Sequence, residues 1–219
     1  MLPTTDLRQN VLTLAIPDDR LPAVGYMMRR ILPPEEYDNE FQGQYLKTTY
    51  FDTRDFKLRK ARLTKDKYCT VRIRAYAATQ QPGIDYPASA YAISAKTKEE
   101  KYRQELDTAV AETLVRRGLP DGYTPLPGHM AARLMELTDG EPLVPVVTVC
   151  FTRYAVEDSA DRITLDCEIR ASNGKIFPTN ILENKTTAKP AKPLPELLAL
   201  GYAPVRLSKF LWATTYGVR

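Results

Sequence analysis

The side chains best suited to chemistry in this chain are cations spaced two residues apart. Arg72 and Arg74, Lys96 and Lys98, and Lys101 and Arg103 form three such pairs. Arg162 opens a fourth alternating run that carries Asp166 and Glu168, and Glu183 stands two residues before Lys185. A guanidinium fork grips two oxygens of one phosphate, and an ammonium adds a compact point charge. Several such groups in one enclosed space suit a linear chain of phosphates. Carboxylates among them need a separate reason, and a hard divalent ion bridging phosphate oxygens, Mg²⁺ or Mn²⁺, supplies one.

Spacing of two is the period of a β-strand, in which alternate residues share a face. In residues 68–76, Thr70, Arg72, Arg74 and Tyr76 take one face, and Cys69, Val71, Ile73 and Ala75 the other. Ser94, Lys96 and Lys98 share a face in residues 91–98, and Lys101, Arg103 and Glu105 do so in residues 101–106. Arg162, Thr164, Asp166 and Glu168 alternate with Ile163, Leu165, Cys167 and Ile169. Arg153 shares parity with Val147, Val149 and Phe151, so a bulge near the end of its strand is expected to turn it inward. Two architectures satisfy this pattern. One is an antiparallel sheet with one solvated face. The other is a closed antiparallel barrel of eight strands, its apolar face outward under helices and its charged face in the bore. An empty cationic bore is costly, because like charges repel in a poorly solvated space, so the barrel makes sense with an anion inside.

The remaining elements fit an α+β domain spanning residues 1–219, in which strands dominate. Strands are expected at 11–16, 45–51, 144–154 and 180–186, besides those above. Helices are expected at 18–31, 55–61, 194–200 and 208–214, and in the middle around Met130, Leu134 and Leu137. Another is expected from an Asp107 cap to Arg117, with Gly118 as its stop.

Net charge is only +4, with 31 Lys plus Arg against 27 Asp plus Glu, which argues against a nucleic-acid partner. Function must come from where the charge is placed. Cys69, Cys150 and Cys167 lie in apolar runs without metal spacing and are expected as buried small hydrophobes in a reducing compartment. No stretch is long and apolar enough for a membrane span, and a cytoplasmic location is expected. His129 reads as a surface or capping residue, and Lys57, Arg59, Lys60 and Arg62 as a solvated helix face, with guidance of a long polyanion as the alternative.

In this setting an ordered set of short segments resembles a known group. It comprises Tyr50-Phe51-Asp52-Thr53, Val71-Arg72-Ile73-Arg74, Ala95-Lys96-Thr97-Lys98 and Phe151-Thr152-Arg153-Tyr154. It continues with Arg162-Ile163-Thr164-Leu165-Asp166, Ile181-Leu182-Glu183-Asn184-Lys185 and Leu207-Ser208-Lys209-Phe210. The set resembles the VTC-type polyphosphate polymerase domain of the triphosphate tunnel metalloenzyme (CYTH-like) superfamily.

The resemblance implies a tunnel lined by Arg72, Arg74, Lys96, Arg153, Arg162 and Lys209, with Lys101 or Arg103 adding one contact. Ser208 is a further phosphate contact by its place beside Lys209. Glu183 would be the metal carboxylate, with Mn²⁺ or a similar ion. The implied activity moves the terminal phosphate of ATP onto polyphosphate, and a membrane-bound companion is compatible with it. Tripolyphosphate hydrolysis and binding without turnover are the alternatives. The first strand departs from the family pattern, since residues 11–16 carry no charge, and Ser94 stands where an acid is common. Arg8 or Lys47 is the candidate to compensate.

Overall fold

The alternating runs form strands in a computed structural model that describes residues 8–35, 41–64, 69–77, 88, 90–97 and 100–215. Eight strands make one antiparallel sheet: β1 (Gln9–Ile16), β2 (Gln44–Asp52), β3 (Thr70–Ala77), β4 (Ala90–Lys96), β5 (Lys101–Leu106), β6 (Val144–Glu157), β7 (Asp161–Ala171) and β8 (Asn180–Thr186). Their order is β1-β8-β7-β6-β2-β3-β4-β5, which leaves β1 and β5 as the two edges of the ladder among the described residues. The expected closure into a barrel is therefore not part of this ladder. The sheet nonetheless curls, because one cavity takes lining residues from all eight strands.

Among the described residues six α-helices accompany the sheet: α1 (Leu21–Ile31), α2 (Lys57–Thr64), α3 (Thr108–Arg117), α4 (Gly128–Thr138), α5 (Pro195–Leu198) and α6 (Lys209–Thr214). Local chemistry sets several of their ends. Asp107 accepts from the backbone N–H of Ala109 and Val110 at the start of α3, and Gly118 stops that helix at φ +90°. A Cβ at Gly118 would lie 2.5 Å from the Leu143 carbonyl oxygen, so both the backbone and the close approach require glycine. Asp52, buried at the end of β2, receives the N–H groups of Thr53, Leu58 and Arg59 and so holds the first turn of α2.

The apolar strand faces point outward, as the alternation implies. Val71, Ile73, Ile93 and Ala95 pack with Leu58 of α2, Leu114 of α3 and Leu134 of α4. Leu12, Leu14, Ile163, Leu165 and Leu182 pack with Val24 and Met28 of α1 and Leu197 of α5. A third cluster departs from expectation, because part of it lines the bore. In it Val147, Val149 and Phe151 meet Leu46, Tyr50, Ile181 and the α6 residues Phe210 and Ala213. Tyr50 stacks on Phe210 with ring centroids 5.2 Å apart.

That cluster explains Arg153. Phe151 and Arg153 lie opposite Leu46 and Gln44 of β2, and all four share the inward face, so no bulge in β6 turns Arg153. The register shift lies across from it. Cys150 to Thr152 on β6 face Arg170 to Cys167 on β7, leaving one extra residue on β7. Glu168 sits there with a left-handed φ of +53° and is exposed. The bulge reverses the parity of β7, so Asp166 and Ile169 both face inward and Glu168 does not.

Of the three cysteines, Cys69 and Cys167 are buried and Cys150 is half-buried. Burial pushes the Cys69 and Cys167 thiols up to about 12. His129 is exposed at the start of α4. No helix among the described residues is long and apolar enough to cross a membrane.

Candidate functional site

The bore contains two cavities, of about 400 and 220 Å³. Arg72, Arg74, Lys101, Arg153 and Arg162 line both, so the two meet at a cationic waist. Beyond the waist, the larger cavity adds Arg8, Arg103 and the carboxylates Glu35, Glu105 and Glu157. The smaller adds Arg62, Lys96, Lys185, Ser208, Lys209 and the carboxylate Glu183. Eleven of the expected site residues are thus gathered around one bore: Arg72, Arg74, Lys96, Lys101, Arg103, Arg153, Arg162, Glu183, Lys185, Ser208 and Lys209. Lys98 lies outside the described residues. Lys101 stands at the waist and Arg103 at one side of it, so both are placed to make contact.

On the β3–β5 wall the arginines lean on neutral groups. Arg72 Nε donates to Ser94 Oγ at 3.2 Å, and Arg74 Nε to Thr48 Oγ1 at 3.1 Å. Arg103 lies over the Tyr76 ring at 5.5 Å. These bonds fix the side chains while leaving the guanidinium charge unneutralised. Burial pulls Arg74 down to about 9, and the neighbouring Arg72 and Arg153 add to the shift. Burial alone would raise the Tyr76 phenol, but Arg74, Arg103 and Arg72 outweigh it and lower its pKa.

On the β6–β8 wall the cations are paired. Arg153 grips Asp166 with two parallel bonds of 2.6 and 2.7 Å, and Lys209 Nζ reaches Asp166 Oδ2 at 2.6 Å. Asp166 is fully buried. Desolvation would raise its carboxyl, but Arg153 and Lys209 hold it well below the usual carboxylate range. Arg162 Nη2 donates to both oxygens of Glu35 at 2.9 and 2.8 Å, and its Nε lies 3.5 Å from Glu157. Lys185 Nζ is 3.8 Å from Glu183. Burial pulls Lys185 down to about 8; Glu183 opposes that shift, while Arg153, Lys96 and Arg162 reinforce it. Burial would raise Glu183, yet Lys185 and Lys209 prevail and lower it.

Three carboxylates were expected around a divalent ion, and the structure separates them. Both oxygens of Asp166 are committed to Arg153 and Lys209, and the β7 bulge puts Glu168 outside the bore, in a groove with Tyr26 and Arg29. No group of three or more His, Cys, Asp or Glu residues able to hold a metal occurs among the described residues. Glu183 alone fits, as a single carboxylate that would share an ion with phosphate oxygens. Ser208 lines the smaller cavity but also caps α6, its Oγ accepting from Leu211 N at 3.4 Å. The first strand contributes Asn10 and no charge to the cavity. Arg8 lines the larger cavity but donates to Glu157 at 2.6 Å, and Lys47 has the parity opposite to the inward Leu46 and Thr48.

Several residues at the site were not anticipated. Phe151 lies beneath three cations, with Arg74, Arg153 and Lys209 at 5.7, 5.4 and 5.0 Å from its ring centroid. A π face in a desolvated site attracts each of them and holds the heads of three elements together. Glu157 shares parity with Arg153 on β6, which is a signal the sequence contains. Glu35 follows Pro33-Pro34 in an irregular segment, where no period could point to it.

Comparisons with known proteins agree with this architecture. The VTC domain model matches residues 12–216. Among curated proteins, none matches the chain significantly. A Bacillus halodurans protein provisionally named an adenylate cyclase superposes with a TM-score of 0.63 at 16% identity, covering 95% of this chain and 96% of that one. A Hippeastrum protein, provisionally named an adenylyl cyclase and reported to have a dominant triphosphatase activity, gives 0.59 at 16% identity, covering 92% and 93%. At those identities the likeness is one of fold, whereas the family model spans nearly the whole chain, and the chain belongs to the VTC domain family.

Proposed function

We propose that this domain holds a linear phosphate chain in its bore and moves the terminal phosphate of ATP onto polyphosphate. The observation that carries the reading is the waist, where Arg72, Arg74, Lys101, Arg153 and Arg162 converge from β3, β5, β6 and β7. Phosphoryl transfer needs alignment and charge neutralisation more than covalent help. Arg72 and Arg74 offer guanidinium edges fixed from behind by Ser94 and Thr48, and would spread around the transferring phosphoryl oxygens. Arg153 and Lys209, set by Asp166, would extend that surface, with Lys96 and Lys185 toward the chain's far end. Glu183 would hold Mn²⁺ or Mg²⁺, whose chemistry is to neutralise and bridge phosphate oxygens. Glu35 occupies the fork of Arg162, so a phosphate there would have to displace or share that carboxylate.

A second reading is binding without turnover. It is favoured by the single available metal carboxylate and by the uncharged first strand. Water as acceptor, giving tripolyphosphate hydrolysis, uses the same geometry. Incubation with ATP and Mn²⁺ distinguishes the three: long polyphosphate supports the transferase, free phosphate the hydrolase, and unchanged ATP with retained binding the passive bore.

A further inference from the structure

The two mouths of the bore differ in charge, and this difference bears on where a phosphate chain longer than the bore would run. The smaller cavity opens beside α2, whose last turn supplies Arg62 to its lining, with Nη1 3.2 Å from Thr70 Oγ1. Behind Arg62, residues 54–62 carry five cations, Arg54, Lys57, Arg59, Lys60 and Arg62, against one acid, Asp55. Lys57 pairs with Glu141. Arg54, Arg59 and Lys60 make no ion pair among the described residues, and Arg59 Nε is shielded from water without a hydrogen-bond partner. Arg59 and Arg62, three residues apart, lie on one side of the helix. The opposite cavity instead adds Arg8 and Arg103 against Glu35, Glu105 and Glu157, with Glu157 paired to Arg8 and Glu35 to Arg162.

We infer that a polyphosphate longer than the bore leaves it at the α2 mouth and continues along the basic side of that helix. This rests on the phosphate-chain reading above. A polyanion gains more on the α2 side than where Glu35, Glu105 and Glu157 stand among the cations, so the bore has a direction. Short chains that end within the bore do not sample α2, which makes affinity depend on chain length.

The test compares tripolyphosphate with long-chain polyphosphate on the whole protein, by calorimetry at fixed ionic strength. The wild type should bind the long chain more tightly, per molecule. The variant Arg59→Gln should keep its melting temperature and its tripolyphosphate affinity. It should lose about two- to fivefold in long-chain affinity, the size expected for one surface ion contact. Glu105→Gln, at the other mouth, should leave the ratio of long-chain to tripolyphosphate affinity unchanged. An Arg59→Gln variant that retains the full long-chain preference overturns the inference, as does a selective long-chain gain in Glu105→Gln. A wild type that binds tripolyphosphate but shows no preference for the long chain also overturns it, leaving the phosphate-bore reading intact. A wild type that binds neither ligand removes both.

Discussion

The two walls of the bore carry cations of the same kinds, yet they hold them in opposite ways. On β6–β8, Arg153 and Lys209 close on a fully buried Asp166, and Arg162 closes on Glu35. On β3–β5, Arg72 and Arg74 rest on the hydroxyls of Ser94 and Thr48. A buried pair of opposite charges is part of the fold, because removing one partner strands the other in a low dielectric. A half-buried cation held by a hydroxyl or a ring face, with no counter-charge, is a standing cost to the fold, which an anionic ligand relieves. The contrast separates residues that build the bore from residues that wait for a ligand, although side-chain type alone does not distinguish them.

The largest effect should come from breaking the paired wall. Asp166→Asn leaves Arg153 and Lys209 without their shared counter-charge, and about 3–5 kcal/mol of stability should be lost. In a chain of this size that corresponds to a fall of about 6–20 °C in melting temperature. An unchanged melting temperature would erase the distinction between the walls. The charged carboxylate also sets the acid limit. Because its folded pKa lies below the ordinary 3.8, its contribution is complete above that value and is lost as pH falls through the folded one.

The hydroxyl-backed wall should respond in the opposite sense. Arg74→Gln should weaken tripolyphosphate binding by about 10- to 100-fold, the range for losing a charged hydrogen bond. The ligand-free variant should melt no lower than the wild type, because the change removes a desolvated charge that Arg72 and Arg153 repel. A large loss of stability would mean that Arg74 is as structural as Arg153.

A smaller effect sharpens the comparison through protons. Lys185 has an ordinary value of 10.5 and is pulled down to about 8 in the fold. Between those values the unfolded chain holds more protons, so this group makes ligand-free stability rise with pH across that window. A bound polyanion restores the charged form, so tripolyphosphate binding near pH 8.5 should take up a fraction of a proton. Calorimetry in two buffers of different ionisation heat reads this directly, and identical heats would contradict it.

Much of this was legible in the strand period. Arg72 and Arg74, Lys96, and Lys101 and Arg103 all face the bore as their parity requires, and the apolar partners Val71, Ile73, Ile93 and Ala95 lie under helices. Parity failed where the period itself breaks. The bulge at Glu168 reverses β7 and ejects a carboxylate that counting by twos had placed beside Asp166. Arg153 departs for the converse reason: its apolar neighbours Val147, Val149 and Phe151 lie inside too, packed against α6. Partnering was not legible at all. Asp166 looks like a metal ligand in one dimension and becomes a counter-ion only when β6 and α6 meet it. Glu35 reaches Arg162 across 127 positions from a segment with no period.

The central claim is that the β3–β5 cations are aligned for a chain of phosphates. The most direct measurement is thermal unfolding with tripolyphosphate and with monophosphate at equal ionic strength, on wild type and on Arg72→Ala. Tripolyphosphate should raise the wild-type melting temperature well above the monophosphate shift, and that excess should vanish in the variant. Equal shifts from the two anions, or an excess that survives loss of Arg72, would contradict the account.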